Sequence, residues 1–486
     1  MIKTERKIIA NVDGGVDLGD PSKHETAESL VQRVVGHFPG TNVTTVFYCT
    51  NVWGTSFTHN TQAGEFAGET LPGYIDAKRI IEREGKDNLR IVSEWCKAHG
   101  LEFFWSLRIN DIHDAMLKRD DMNYPRTKRE HPDWLVGDGV WHEERDILKP
   151  EYWHATALDY KRREVRDFQF NVIREVCDRY DIDGVELDFC RSPVMFKAHK
   201  AIENTPVMTE WIQRVRDHIQ PRQLAIRVPS PKMKCKAIGL DVDRLVTNRI
   251  VDLLVAGSGY NPFQMSIGEF MSADVPVYPC IETHLWKWQC IREDTARYDG
   301  VLRAAAERWY TQGAAGMYCF NAQTQIKDGE SGTGYGPPLA RFTDVGSLDD
   351  LHHKDKLRMV SLGEPRRHRQ FCWHDVPDVG GGCEPYIMPV EVKKSAEFEL
   401  SVFSLSSLER RLVVKFYSLS LTDGPSIFLN GNSTEAGVRY GKGDVHRSVD
   451  RVEWVNPSPL KVGMNTVRIE TTKPVMVENI ELWERW

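Results

Sequence analysis

The stretch DIDGVELDFCRSP, Asp181 to Pro193, places Glu186 and Asp188 two residues apart in a run that otherwise reads Val185, Leu187, Phe189. The apolar residues are strand formers, and side chains on a strand alternate faces. Glu186 and Asp188 therefore share one face, with Val185, Leu187 and Phe189 on the other. A strand buried on both sides that carries two carboxylates toward one interior suggests a barrel with a polar mouth, and the surrounding pattern decides whether one exists.

Short apolar runs alternate with amphipathic stretches up to about residue 360, as in parallel β/α architecture. The expected strands are Lys7 to Val12, Thr44 to Thr50, Glu102 to Arg108, Gly184 to Phe189, Gln223 to Val228, Val251 to Ala256, Val275 to Glu282 and Ala314 to Asn321. Helical patterns cover Glu25 to Phe38, Ile75 to His99, Thr156 to Arg179, Val207 to Gln220, Val242 to Arg249, Asp294 to Gln312 and Leu348 to Val360. Eight such strands predict an α/β chain with a (β/α)8 TIM barrel, its site at the C-terminal strand ends. The long segment Asn110 to Trp153 reads as a lid or subsite wall. After Gly380-Gly381-Gly382 the pattern changes to short strands separated by turn residues, which predicts a C-terminal all-β sandwich of jelly-roll type. The expected division is a barrel over 1–365, a linker over 366–384 and a sandwich over 385–486.

The 486 residues, 41% hydrophobic and 27% charged with 14 Trp, suit two globular domains with room for sugar-stacking surfaces. A formal net charge of −7 argues against nucleic-acid or anionic-membrane partners. The basic runs Lys161-Arg162-Arg163 and Arg366-Arg367-His368-Arg369 read as solvated faces. No run of about 18 apolar residues appears, so no membrane span is expected. The charged start Met1 to Lys7 lacks an apolar leader, and the sequence as given reads as cytosolic; a chain whose leader had been removed would read the same way. Ten scattered Cys without CxxC spacing read as reduced, buried thiols.

The stretch from Thr156 through Tyr180-Asp181-Ile182-Asp183-Gly184 to Phe189 resembles the fourth-strand region of the family 10-like glycosyl hydrolase group, and His131-Pro132-Asp133-Trp134 is similar to an HP(D/E)W element of that group. It resembles more loosely the DGxxxDxD strand of family 18 chitinases, departing from it where Cys190 and Arg191 stand in place of the closing Glu. In the C-terminal part, Ser426 to Gly431 and Leu460 to Ile469 resemble galactose-binding-like jelly-roll modules.

The resemblance implies glycoside hydrolysis, which needs a carboxylic acid to protonate the leaving oxygen and a second carboxylate as nucleophile or base. Asp188, at the end of the fourth strand, is expected to be the general acid/base. Glu282, ending the seventh, is expected to be the nucleophile or second carboxylate. Glu186, also in the catalytic set, is expected one layer deeper as the brace, ion-paired with Arg108 and Arg227. Asp13, Asn51, Arg108, Asn110, His113, Asp114, Arg227, His284, Trp286 and Asn321 are candidate substrate-binding residues. For Asp111 and Asp114 the competing role is capping of the next turn, and for Asp13, Asn51 and Asn321 a structural one. Trp53, Trp105, Trp286 and Trp288 are candidate stacking platforms. The partner is expected to be a carbohydrate, no cofactor or metal is required, and oligomeric state is left open. The alternatives are a metal-dependent barrel hydrolase or isomerase using Glu186, Glu282, His284 and His113, and a non-catalytic glycan-binding barrel.

Overall fold

A computed structural model of the chain describes residues 6–15, 26–137, 154–259, 262–263, 265, 267–282, 295–322, 342–361, 388–417, 425–434, 439–442 and 450–486. Eight parallel strands, β1 (Ile8–Asp13), β2 (Val43–Cys49), β3 (Glu102–Arg108), β4 (Gly184–Asp188), β5 (Gln223–Val228), β6 (Leu253–Ala256), β7 (Val277–Glu282) and β8 (Met317–Phe320), close into a barrel. Each pairs in parallel with its chain neighbours, and β8 returns to β1. Both faces of these strands are buried, which is why they read as near-continuous apolar runs.

Around the barrel lie α1 (Ala27–Val34), α2 (Ile75–Glu84), α3 (Asn88–Ala98), α4 (Arg163–Arg179), α5 (Thr205–Ile219), α6 (Lys232–Ala237), α7 (Val242–Thr247) and α8 (Thr295–Thr311). The single helix expected over Ile75 to His99 is two. Gly85 ends α2 in the left-handed region at φ 67°, and the Asp87 side chain caps α3 by accepting from the Arg90 amide. Helix α4 starts at Arg163 rather than Thr156.

The expected helix over Leu348 to Val360 is overturned. A short turn at Asp349–Leu351 leads into β9 (Lys356–Met359), which pairs antiparallel with the last strand of the chain. Its residues alternate, Leu357 entering the barrel-side core while Lys356 and Arg358 meet carboxylates, and period-two alternation suits a strand.

The C-terminal part contains β10 (Val390–Val392), β11 (Ser395–Val402), β12 (Glu409–Phe416), β13 (Ser426–Leu429), β14 (Asn432–Ser433), β15 (Arg439–Lys442), β16 (Asp450–Val455), β17 (Gly463–Glu470) and β18 (Val475–Arg485). One sheet runs β9-β18-β12-β16-β15 with β10 also on β18, and the other runs β11-β17-β13-β14. Between them Phe398, Leu400, Leu412, Ile427, Trp454 and Ile480 belong to a separate core. The molecule is thus a TIM barrel followed by a β-sandwich.

At the barrel's C-terminal end, residues 110–137 form a pinned wall. The Glu65 carboxylate, on the loop after β2, accepts from the Arg126 and Thr127 amides at 3.0 Å each. Buried Lys128 pairs with buried Asp114 at 2.8 Å. Seven cysteines among the described residues are free and buried. Among the described residues no helix is long and apolar enough to cross a membrane.

Candidate active site

Inward-facing residues of the barrel stack in layers. At the floor, Arg6 binds the Glu102 carboxylate through two nitrogens, at 2.5 and 2.7 Å, and also donates to Gln223. Above it lies an aromatic layer in which Phe47 stacks on Phe104, with ring centroids 4.5 Å apart, and Tyr318 meets Phe47 edge-on. The polar mouth follows.

Strand register decides how the mouth is wired. Glu186 lies level with Ser106 on β3 and Ala225 on β5, whereas Asp188 lies level with Arg108 and Arg227. The expected ion pair between Glu186 and these arginines does not form, because both stand two residues further along their strands. Arg227 instead donates to Asp188 Oδ2 at 3.2 Å, and to the carbonyls of Gly257 and Ser258. Its guanidinium carbon lies 4.0 Å from the centre of the Phe320 ring. Asp188 Oδ1 accepts from the amides of Cys190 at 2.8 Å and Arg191 at 3.1 Å. The residue at the position of the chitinase Glu thus anchors the Asp188 carboxylate through its backbone.

Glu186 is fully buried and forms no ion pair among the described residues, the nearby Arg227 being committed to Asp188 and only partly offsetting its burial. Its Oε2 accepts from the hydroxyls of Ser106 at 2.5 Å and Tyr318 at 3.1 Å, and its Oε1 has no partner. Burial, reinforced by the charge of Asp188, pushes its pKa up to about 8, so the group carries a proton at neutral pH. Ser106 and Tyr318 were absent from the sequence-derived set. The available signal was parity: Ser106 shares the inward phase of Arg108.

Arg108 joins Asp13 at 2.6 Å and Asp111 at 3.0 Å. Asp111 in turn accepts from His113 Nδ1 at 2.5 Å, and His113 Nε2 accepts from Arg191. Burial opposes the charge of Asp111, yet His113, Arg108 and Arg191 hold its pKa well below the usual carboxylate range. Thus Asp13, Arg108, Asp111, His113 and Arg191 form one chain of linked polar groups along the mouth. On the opposite wall, Glu282 ends β7 and accepts from Asn321 Nδ2 at 3.3 Å. Asn321 adopts φ 55° directly after β8.

Several expected binding residues turn out to be committed to the scaffold. The Asn110 amide bridges Leu158, through its N–H and C=O, to the Val194 carbonyl, clamping two loops together. Asn51 exchanges hydrogen bonds with the backbone of Arg108. Asp114 is consumed by Lys128, and burial raises its pKa despite that cation. Short polar side chains beside strand ends satisfy backbone groups that the sheet leaves open, which is why the same residue types signal binding and bracing. Trp105 faces away from the interior and donates Nε1–H to Thr50 Oγ1, and Trp53 packs edge-on to Tyr74. His284, Trp286 and Trp288 lie outside the described residues. Among the described residues no group of three metal-ligating side chains converges.

No protein-family model matches the chain. No curated protein matches it either. Solved structures align with the chain at low identity. The endo-β-1,4-mannanase from Thermotoga petrophila aligns over 99% of this chain and 98% of its own, at 11% identity and a TM-score of 0.48. The α-L-fucosidase isoenzyme 2 from Paenibacillus thiaminolyticus aligns over 70% of this chain at 12% identity and a TM-score of 0.42, this chain spanning about half (48%) of its length. The PgaB (BpsB) glycoside hydrolase domain from Bordetella bronchiseptica aligns over 65% of this chain and 94% of its own, at 9% identity and a TM-score of 0.42.

Proposed function

We propose that the chain is a glycoside hydrolase that cleaves O-glycosidic bonds of an oligo- or polysaccharide with Asp188 and Glu282. One observation carries this reading: Asp188 and Glu282 end β4 and β7, which β5 and β6 separate, so two carboxylates face a common mouth from different walls. Glycoside hydrolysis needs that arrangement.

The hydrogen bonds around Asp188 suggest a division of labour different from the one expected of the sequence. Three donors occupy all but one of its carboxylate lone pairs, leaving a single position on Oδ2 for substrate or water. That environment suits the anionic partner, as nucleophile or base, and assigns proton delivery to Glu282. Glu186 serves beneath Asp188 as a neutral neighbour whose retained proton avoids a second negative charge one layer below it.

The test is sugar release from a panel of glycans and aryl glycosides by the wild type, Asp188→Asn and Glu282→Gln. Loss of release from the glycans in both folded variants supports the pair. If Glu282 delivers the proton, Glu282→Gln retains activity on aryl glycosides with good leaving groups, because these need no protonation. No release from any substrate by the wild type overturns the hydrolase reading.

A further inference from the structure

A cavity of about 580 Å³ lies among the loops of the barrel. Its lining includes Lys161, Arg162, Arg163, Lys197, His199 and Lys200. These come from two βα connections, the one leading from β3 into α4 and the one that follows β4, so the cavity opens at the end of the barrel where Asp188 lies. The run Lys161-Arg162-Arg163, which reads in isolation as a solvated face, is folded into a concave surface against a second basic segment.

The charge placement runs against local preference. Helix α4 begins at Arg163, and its N-cap residue is Arg162, whose side chain makes no capping bond. The positive end of a helix dipole favours anions, and here three cations crowd it. Two acids, Asp159 and Glu164, also line the cavity. Asp159 Oδ1 is engaged by the Lys161 amide, shaping the turn. Arg163 and Lys200 pair with Asp167 and Glu203, at 3.3 and 2.8 Å, but these pairs are solvent-exposed and exchange readily for a ligand anion. Burial raises the pKa of Asp159 even though Arg162, Lys197 and Lys161 all act on its charge, so three cations face this one acid.

Hydrogen bonds tie the loops of the cavity to one another and to the loop that carries Asn110. Tyr160 N–H donates to the Met195 carbonyl at 2.8 Å, and the Asn110 clamp joins Leu158 to Val194. The loop that carries Lys197, His199 and Lys200 is the one whose first residues anchor Asp188.

We propose that this cavity is a subsite for the anionic group of an acidic polysaccharide, a uronate or a sulfate ester, carried on a sugar away from the bond that is cleaved. The proposal rests on the glycoside hydrolase reading for the substrate's passage through the mouth. A chain lying across the rim places neutral ring atoms by the carboxylates of the mouth and its charge among the cations.

The experiment measures binding by calorimetry of an oligogalacturonate, a dextran sulfate oligomer and a neutral manno-oligosaccharide to the full chain at low and at physiological salt. The wild type is compared with Lys161→Ala/Lys197→Ala/Lys200→Ala, with folding checked by circular dichroism and melting. Expected is binding of an acidic oligomer that weakens with salt and drops roughly tenfold or more in the triple variant. Tighter binding of the uronate or of the sulfated oligomer identifies which anion the cavity takes. Absence of acidic binding, or equal affinity in the wild type and the triple variant, overturns the proposal. A DNA oligonucleotide bound as tightly as the oligosaccharides also overturns it. The two readings fail separately. Acidic binding without turnover of any glycan leaves the subsite and removes the hydrolase. Turnover of neutral glycans without acidic binding does the reverse.

Discussion

Two buried glutamates, Glu481 between barrel and sandwich and Glu186 at the barrel mouth, are held in opposite ways. At the junction, Glu481 on β18 receives Arg297 through two nitrogens, at 2.9 and 2.5 Å, and Lys415 at 2.8 Å. Those cations outweigh the cost of burial and hold its pKa at about 2. Arg358 on β9 joins Glu307 of α8 to Glu484 of β18, where burial and the charge of Glu307 outweigh that cation and raise the Glu484 pKa. At the mouth, Glu186 is as deeply buried but is given two hydroxyls, an anionic neighbour and an unpartnered oxygen, and its pKa moves the other way. A cluster serving stability balances its charges, whereas strongly perturbed groups in a cleft mark a functional site. The proposed hydrolase reading puts the chemistry at the mouth.

The largest effect expected is catalytic. Asp188→Asn should lower turnover roughly 10²- to 10⁴-fold, while Arg227 keeps the Gly257 and Ser258 carbonyls and Phe320, so the variant stays folded. Steady-state kinetics beside a melting curve decides this, and full activity in the variant would remove Asp188 from the site.

Breaking the junction should do the reverse. Glu481→Ala leaves two cations without their carboxylate and should cost about 3–5 kcal/mol, read as a lower midpoint in denaturant, with kcat of the remaining folded enzyme unchanged. Equal loss of stability in Glu481→Ala and in Glu481→Gln would support the role of charge over that of shape.

Clamping comes next. Asn110→Ala removes three hydrogen bonds between buried loops and should cost about 1–3 kcal/mol, with KM rising more than kcat falls because the wall beside the mouth loosens. An unchanged denaturation midpoint would argue against the clamp.

The remaining expectation concerns the pH dependence of stability. A carboxyl with a folded pKa above its unfolded value confers stability that is full below the unfolded value, near 4.5, and lost as pH rises toward about 8. Glu186→Gln, neutral at every pH, should therefore flatten the decline in melting temperature between pH 5 and 8 and melt higher than the wild type at pH 8. A buried ion pair, the arrangement expected from sequence, predicts a lower melting temperature throughout. Parallel pH profiles for the two proteins would show that Glu186 does not hold its proton.

Legibility differed between fold and site. The strands Glu102–Arg108 and Gln223–Val228 were bounded from sequence at the residues where the structure places them, because doubly buried strands leave an apolar run that polar turns interrupt. The strand Lys356–Met359 was misread as helix, since four residues of alternation are too short to outweigh neighbouring helical spacing, and its partner lies more than a hundred residues away. In the site, the shared face of Glu186 and Asp188 was readable, but their partners were not.

The sequence alone determined the eight-stranded barrel, the sandwich after it and the two carboxylates on one face of β4, because periodicity and side-chain alternation are local properties of the chain. Tertiary structure decided the rest. Register between β3, β4 and β5 assigned Arg227 to Asp188 and left Glu186 to Ser106 and Tyr318. Loop packing spent Asn51, Asn110 and Asp114 on the scaffold and gathered two basic segments into one cavity. Whether a polar residue is a ligand or a brace depends on which unsatisfied group lies within about 3 Å of it, and that neighbour is set by the fold rather than by the sequence around it.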